Sequence, residues 1–326
     1  MENDSKWLDK VKRFQSVGAL ALMVITLLLM TDKFFTVDNS LNVLRQICVN
    51  VCLSIGMTIV IISGGIDLSV GSMLAFSGAV AAGLLKKGIS IPGTDVFIEF
   101  TVSGAILAGV LVGTVLGLFN GFTITRFKLP PFVATLGMLS IARGLTMLWT
   151  GGFPITRLGD SLGYIGSGHF LGVPMPVWIS GGLVAVFMIV MKRTRFGRQV
   201  YAVGGNERAA TLSGLDVNRI KLRVYALGGA LAGVAGLLTT ARLDSATPTA
   251  GFRDELDSIA AVVIGGSSLN GGRGSIAGTL LGCLIIGILN NGLVLLEVSP
   301  FWQQVIKGFV ILIAVAVDKA GTEKRS

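Results

Sequence analysis

The chain has 326 residues, of which 52% are hydrophobic and only 14% charged, with a mean hydropathy of +0.77. No water-facing surface of ordinary polarity can be assembled from that composition, so it describes an integral membrane protein rather than a soluble enzyme or binding module. The net charge of +9 raises nucleic acid as a partner, but the basic residues cluster in a few loops between apolar blocks, where membrane topology accounts for them.

Apolar blocks of about 20 residues match the length a helix needs to cross a bilayer core of roughly 30 Å, whereas barrel strands would be shorter and alternating. Ten spans are expected, at 17–31, 41–62, 69–85, 100–124, 131–150, 175–191, 222–242, 256–272, 276–296 and 303–317, the eighth short and glycine-rich. The fold class is therefore all-α, a polytopic membrane helical bundle. It forms one transmembrane domain over 1–326: six spans over 17–191, a loop over 192–221, four spans over 222–317 and a tail over 318–326. The first block, Val17–Met30, has no small-residue cleavage site after it, and Thr31–Phe35 is polar and aromatic, so that helix is expected to stay.

The first unusual stretch is Ser63–Ser72, SGGIDLSVGS, where two glycines, an acid and serines end a membrane block. Such a composition favours a broken or re-entrant backbone, tolerated only where protein or water satisfies the freed amides. Asp67 there reads either as a gate or path residue, together with Ser69, or as a helix cap at the inner interface, where its charge suits the positive end of a helix dipole.

The fourth span carries Gly109, Gly113, Gly117 and Gly121 on one face, the seventh carries Gly229 and Gly233, and Gly274, Gly278 and Gly282 open the ninth. Helices in lipid associate by close backbone approach at small residues, so these glycines read as packing faces. Leu129–Phe132 (LPPF) opens the fifth span from inside and Ser299–Phe301 (SPF) the tenth from outside, an echo that would suit an inverted repeat.

The longest charged interval is Lys192–Arg223, with eight Lys or Arg against Glu207 and Asp216. Asn206 is placed to cap a short helix that Gly214 ends, because an Asn side chain accepts from free amides and glycine tolerates the left-handed exit. With a cytoplasmic amino terminus the inside segments hold eighteen basic residues: Lys6, Lys10, Lys12, Arg13, Arg126, Lys128, the eight of this interval, Arg273, Lys319, Lys324 and Arg325. The outside segments hold six: Lys33, Lys86, Lys87, Arg157, Arg242 and Arg253. That excess puts both termini on the cytoplasmic side.

Further on, Gly265–Ser275, GGSSLNGGRGS, has glycines at a phosphate-loop interval, but Gly272 and Arg273 stand where such a loop needs Lys and Ser or Thr, and no strand is expected before it. Nucleotide hydrolysis is therefore expected on another polypeptide. Catalytic patterns are missing as well: no metal-binding helix pair, no nucleophile elbow, and no pair of in-membrane carboxylates close in sequence. Cys48, Cys52 and Cys283 lie in apolar blocks and His169 is the single histidine, which argues against disulfide or zinc chemistry. Polar residues inside the spans, namely Arg45, Asn50, Asn120, Arg143, Asn290 and Asn291, face a cavity or a partner helix. Asn120 or Asn290 beside an aromatic such as Phe76 or Trp149 would suit a sugar, which offers hydroxyls and apolar ring faces.

Four stretches in this order, SGGIDLSVGS (63–72), FNGFTITRFKLPPFVATLGMLSIARG (119–144), TRFGRQVYAVGGNERAATLSGL (194–215) and IAAVVIGGSSLNGGRGSIAGTLLG (259–282), resemble the permease subunits of binding-protein-dependent ABC importers for monosaccharides, the ribose type above all. The resemblance runs over nearly the whole chain. It implies import of a monosaccharide, ribose or a related pentose, across the bacterial cytoplasmic (inner) membrane by alternating access. It also implies a second permease, a copy of this chain as in the ribose type although some relatives pair with a different permease, an ATPase on separate chains that holds the ATP and Mg, no cofactor on this chain, and a periplasmic sugar-binding protein. The coupling helix that docks on the ATPase would be carried by Gly205, Asn206, Glu207, Arg208, Ala209, Ala210 and Gly214. A self-sufficient ion-coupled sugar carrier is the alternative, although its mid-membrane carboxylate is not evident, since Asp67 sits at a helix end and Glu99 and Glu297 near the outer interface.

Overall fold

The computed structural model describes residues 18, 20–90 and 97–323. Val17, which opens the first expected span, and Lys6, Lys10, Lys12, Arg13, Lys324 and Arg325 of the charge balance lie outside the described residues. Helices α1 (Leu20–Met30), α2 (Val37–Ile62), α3 (Val70–Lys87), α4 (Val102–Arg126), α5 (Pro131–Thr150), α6 (Asp160–Ser167) and α7 (Met175–Arg193) make up the first part. Then follow α8 (Arg195–Gly205), α9 (Glu207–Leu212), α10 (Val217–Leu243), α11 (Asp254–Ile264), α12 (Ile276–Leu295) and α13 (Pro300–Glu323). The expected all-α bundle is what the chain forms. Its strands are two-residue antiparallel pairs in the connections: β1 (Ile89–Ser90) with β2 (Phe97–Ile98), β3 (Ile155–Thr156) with β6 (Ser245–Ala246), and β4 (His169–Phe170) with β5 (Val173–Pro174).

Among the described residues, six helices are long and apolar enough to cross a membrane: α2, α4, α5, α7, α10 and α12. Of the apolar stretch of α2, 78% is buried, and of α10, 72%, against 28%, 22% and 28% for α4, α5 and α7. The first pair is thus the axis of the bundle. The others turn most of their side chains outward, where lipid can solvate apolar surface.

Most helix starts are set by local chemistry. Thr36, Thr101, Thr194, Asn206, Asp216 and Ser275 each accept a hydrogen bond from a backbone amide three residues on. Pro131 and Pro176 sit in the first turns of α5 and α7, where no amide donor is lost.

The glycine seam forms as the spacing predicts. A Cβ on Gly117 would collide with the carbonyl of Tyr225, one on Gly229 with the carbonyl of Gly113, and one on Gly121 would lie 2.9 Å from Leu222 Cα. The backbones of α4 and α10 are therefore in direct contact, which dispersion rewards and a side chain would forbid.

Three expectations are corrected. The interval after α7 is not an open loop with one short helix, because α8 fills its first part and α10 begins at Val217 rather than 222. The eighth apolar block is helical only over the 11 residues of α11, which rise about 16 Å, half a bilayer core. And carboxylates do lie close in sequence within the bundle: Asp254, Glu255 and Asp257 occupy the first turn of α11. Ser258 Oγ donates to Asn50 Oδ1 (3.3 Å), and Asn50 is in the middle of α2, so α11 starts halfway through the bundle.

Candidate translocation path and coupling surface

The candidate coupling surface is built around α8 and α9. Thr194 caps α8, which buries Val200 and Val203. Asn206 Oδ1 then accepts from Ala209 N (2.9 Å), starting α9, and Gly214 leaves it at φ +83° with Leu215 N donating to Ala210 O. Of the expected docking residues, Gly205, Asn206, Glu207, Arg208, Ala209 and Gly214 are exposed, and Ala210 is the buried foot of the helix. Glu207 takes both carboxylate oxygens to Lys221 Nζ at 2.8 Å, tying α9 to the start of α10. Leu212, which sequence reasoning passed over, is 84% exposed at the tip of α9. Leu215 and Leu222 of the same interval are partly buried, so residue type alone gave no signal for Leu212.

Behind this surface, the two glycine-rich stretches of the sequence meet. Gly272 N donates to Ile62 O (2.9 Å) at the end of α2, and Tyr201 Oη of α8 donates to Gly274 O (2.8 Å). Gly204 sits between them so closely that a Cβ would collide with Ile62 O. The end of α2, the end of α8 and the α11–α12 connection thus form one block, and α9 projects from it. The stretch 265–275 follows a helix, not a strand, so its glycines serve this packing rather than a phosphate.

Asp67, Ser69 and Asn120 come together and are fully buried. Asp67 Oδ1 accepts from Ser69 N (2.9 Å) and Ser69 Oγ, and Asn120 Nδ2 donates to Ser69 Oγ (2.9 Å). Asp67 thereby closes the turn before α3 and ties it to α4. Its Oδ2, Asn120 Oδ1 and Tyr225 Oη have no hydrogen-bond partner. Phe76 is half-buried on α3, away from this trio in sequence by two turns.

Toward the other end, Arg143 Nη1 of α5 donates to Pro248 O (2.7 Å) and Ala250 O (2.8 Å), holding the segment that leads into α11. A Cβ on Gly251 of that segment would collide with Gly71 O, so it reaches the start of α3. Asn290, the remaining path candidate, lies beside α11 and donates to Asp257 Oδ2 (3.4 Å). Asn291 pairs reciprocally with Asn39, Arg45 meets His169 at 2.7 Å, and Trp149 Nε1 donates to Ala79 O (2.9 Å). Among the described residues no three His, Cys, Asp or Glu side chains are grouped to hold a metal ion.

Comparison with known proteins places this architecture. Residues 39–315 match the family described as branched-chain amino acid transport system / permease component. The ribose import permease protein RbsC of Haemophilus influenzae is 46% identical over 315 residues, covering 95% of this chain and 94% of its own. The RbsC of Bacillus subtilis is 48% identical over 302 residues, 92% and 90% of the two chains. The xylose transport system permease protein XylH of Escherichia coli is 32% identical over 375 residues, 96% and 93%. A bundle of apolar helices with central α2 and α10, matched from end to end in this way, is a multi-pass membrane protein that belongs to the branched-chain amino acid transport system / permease component family.

Proposed function

We propose that the chain is the transmembrane subunit of an ATP-driven importer that carries a monosaccharide, ribose or a related pentose, into the cytoplasm. The observation that carries this reading is identity of 46% and 48% to ribose import permeases across more than nine-tenths of this chain. The family description names amino acids while these relatives carry sugar names, so the substrate reading follows the relatives, and the two ribose proteins are nearer than the xylose protein.

The chain works in the cytoplasmic membrane as a homodimer, with lipid on the outward faces of α4, α5 and α7. A separate ATPase holds ATP and Mg, and its ATP-driven closure moves the docked helix; a sugar-binding protein delivers substrate from the other side. Gly205, Asn206, Glu207, Arg208, Ala209, Ala210 and Gly214 form the docking surface. A short, capped helix moves as a unit, and the block at Gly204 passes its displacement to α2 and to the α11–α12 connection. Asp67, Ser69, Phe76, Asn120 and Asn290 belong to the path or its gate. The Asp67 trio, sealed in this conformation, is the gate, because the unpartnered oxygens of Asp67 and Asn120, with Tyr225 Oη beside them, cost stability that a second conformation can recover.

Ten passages with both termini cytoplasmic suit this bundle. The eighth passage is the segment 244–253 followed by α11, together spanning what neither spans alone. An inverted repeat is supported by order: α2 to α5 and α10 to α13 each give a long central helix, a helix starting inside the bundle, a long helix, and a helix opened by proline at Pro131 or Pro300. The starts of α3 and α11 meet at Gly71 and Gly251.

Vesicles containing the purified chain, its ATPase and the sugar-binding protein test the reading. ATP-dependent pentose uptake is expected. Accumulation by the chain alone under an ion gradient would favour the ion-coupled carrier instead.

A further inference from the structure

Four helices bring unlike polar groups to one level of the bundle. Asp257 Oδ2 of α11 receives Lys307 Nζ of α13 at 2.8 Å and Asn290 Nδ2 of α12 at 3.4 Å. The next residue on α11, Ser258, donates to Asn50 of α2, whose Oδ1 also accepts from Ser54 Oγ (3.0 Å). Asn290 Oδ1 is enclosed and has no partner.

Lys307 does not face lipid. The outward side of α13 carries Phe301, Trp302, Val305, Phe309 and Leu312, all exposed, and Lys307 lies on the opposite side, toward α11. The ion pair is not fully enclosed by this chain either: the Lys307 and Asp257 side chains are 28% and 14% accessible.

A charged pair halfway through a membrane bundle is costly, and apolar residues would pack four helices as well. Its chemistry is a strong acceptor, a strong donor and a carboxamide that offers both, with one acceptor unused and one bond, at 3.4 Å, long enough to be displaced. A neutral molecule dense in hydroxyls, each both donor and acceptor, fits that set; an anion would meet Asp257 and a cation Lys307.

We propose that Asp257, Asn290 and Lys307 form the polyol-contacting constriction of the path. A sugar hydroxyl accepts from Lys307, another donates to Asp257, and a third satisfies Asn290 Oδ1. The inference rests on the reading of the chain as an importer subunit.

The test uses the complete assembly of this chain, its ATPase and the sugar-binding protein in vesicles, and reads sugar moved per ATP hydrolysed. Wild-type uptake is measured first; if ATP drives none, the proposed function fails before any variant is read. The deciding variant is Asp257→Leu with Lys307→Met, since replacing both members of a part-buried pair by apolar side chains leaves neither charge unpaired and stability near neutral. The constriction predicts a folded, ATPase-active assembly whose sugar-to-ATP ratio falls at least about tenfold, the loss expected of a hydrogen bond to a charged group. Asn290→Leu alone should lower the same ratio several-fold. A ratio within about twofold of wild type in the double variant assigns the pair to structure and overturns the proposal. Should the double variant fail to insert, Asn290→Leu and Asp257→Asn decide on the same ratio, and wild-type values in both overturn it.

Discussion

Glu207 is more than half exposed, and its pair with Lys221 spans from α9 to α10 on the surface. Surface pairs of this kind contribute about 0–1 kcal/mol, so Glu207→Lys should leave thermal stability in detergent nearly unchanged. If α9 is the docking helix, the same substitution should abolish co-purification with the ATPase, and retained association would remove Glu207 from the surface. Leu212 gives a complementary expectation. Being 84% exposed, it holds no core together, so Leu212→Asp should insert normally and still lose ATPase stimulation. At this scale the sequence was uneven in what it disclosed. The Asn206 cap and Gly214 exit were readable because both depend on the residue's own backbone chemistry. The depth of Asp257 was not, since a first-turn acid looks the same at an interface as inside a bundle. Its level is fixed by the hydrogen bond from the neighbouring Ser258 to Asn50, 208 residues away in sequence.

Among the elements, the α4–α10 seam was the most legible, because four-residue glycine spacing translates directly into one bare helix face. Gly117→Val should drive its side chain into the backbone of Tyr225 and cost about 1–3 kcal/mol or prevent insertion, read as a lowered melting temperature. Gly137→Ala on α5, where nothing lies within 4 Å of the new carbon, should be neutral or stabilising by up to about 1 kcal/mol. Equal effects at the two positions would contradict the seam. Helix α8 was hidden by its charges: Arg195 and Arg198 made the interval read as loop, while its buried side rests on Val200 and Val203. The shortness of α11 was hidden differently. Val262 to Gly272 continues apolar and glycine-rich past Ile264, and only the turn at Gly266, with φ +88°, ends the helix.

For the whole molecule, the arrangement joins the projecting helix α9 to the bundle's interior by two routes. One passes from α9 through Gly204 to the end of α2 and the α11–α12 connection; the other passes through Lys221 to α10 and, one turn further, Tyr225 beside the Asp67 turn. Both are short. Composition and hydropathy sufficed to read the bundle, but the convergence of residues 62–64, 204–205 and 271–274 is a long-range contact that no local pattern encodes. The central claim, that this chain is a path and lever powered by a partner, is tested most directly by pentose uptake into vesicles carrying the chain with and without its ATPase, the sugar-binding protein present in both. Uptake that needs the ATPase and ATP together is the expected result. Equal accumulation without the ATPase, driven by a proton or sodium gradient, would contradict it.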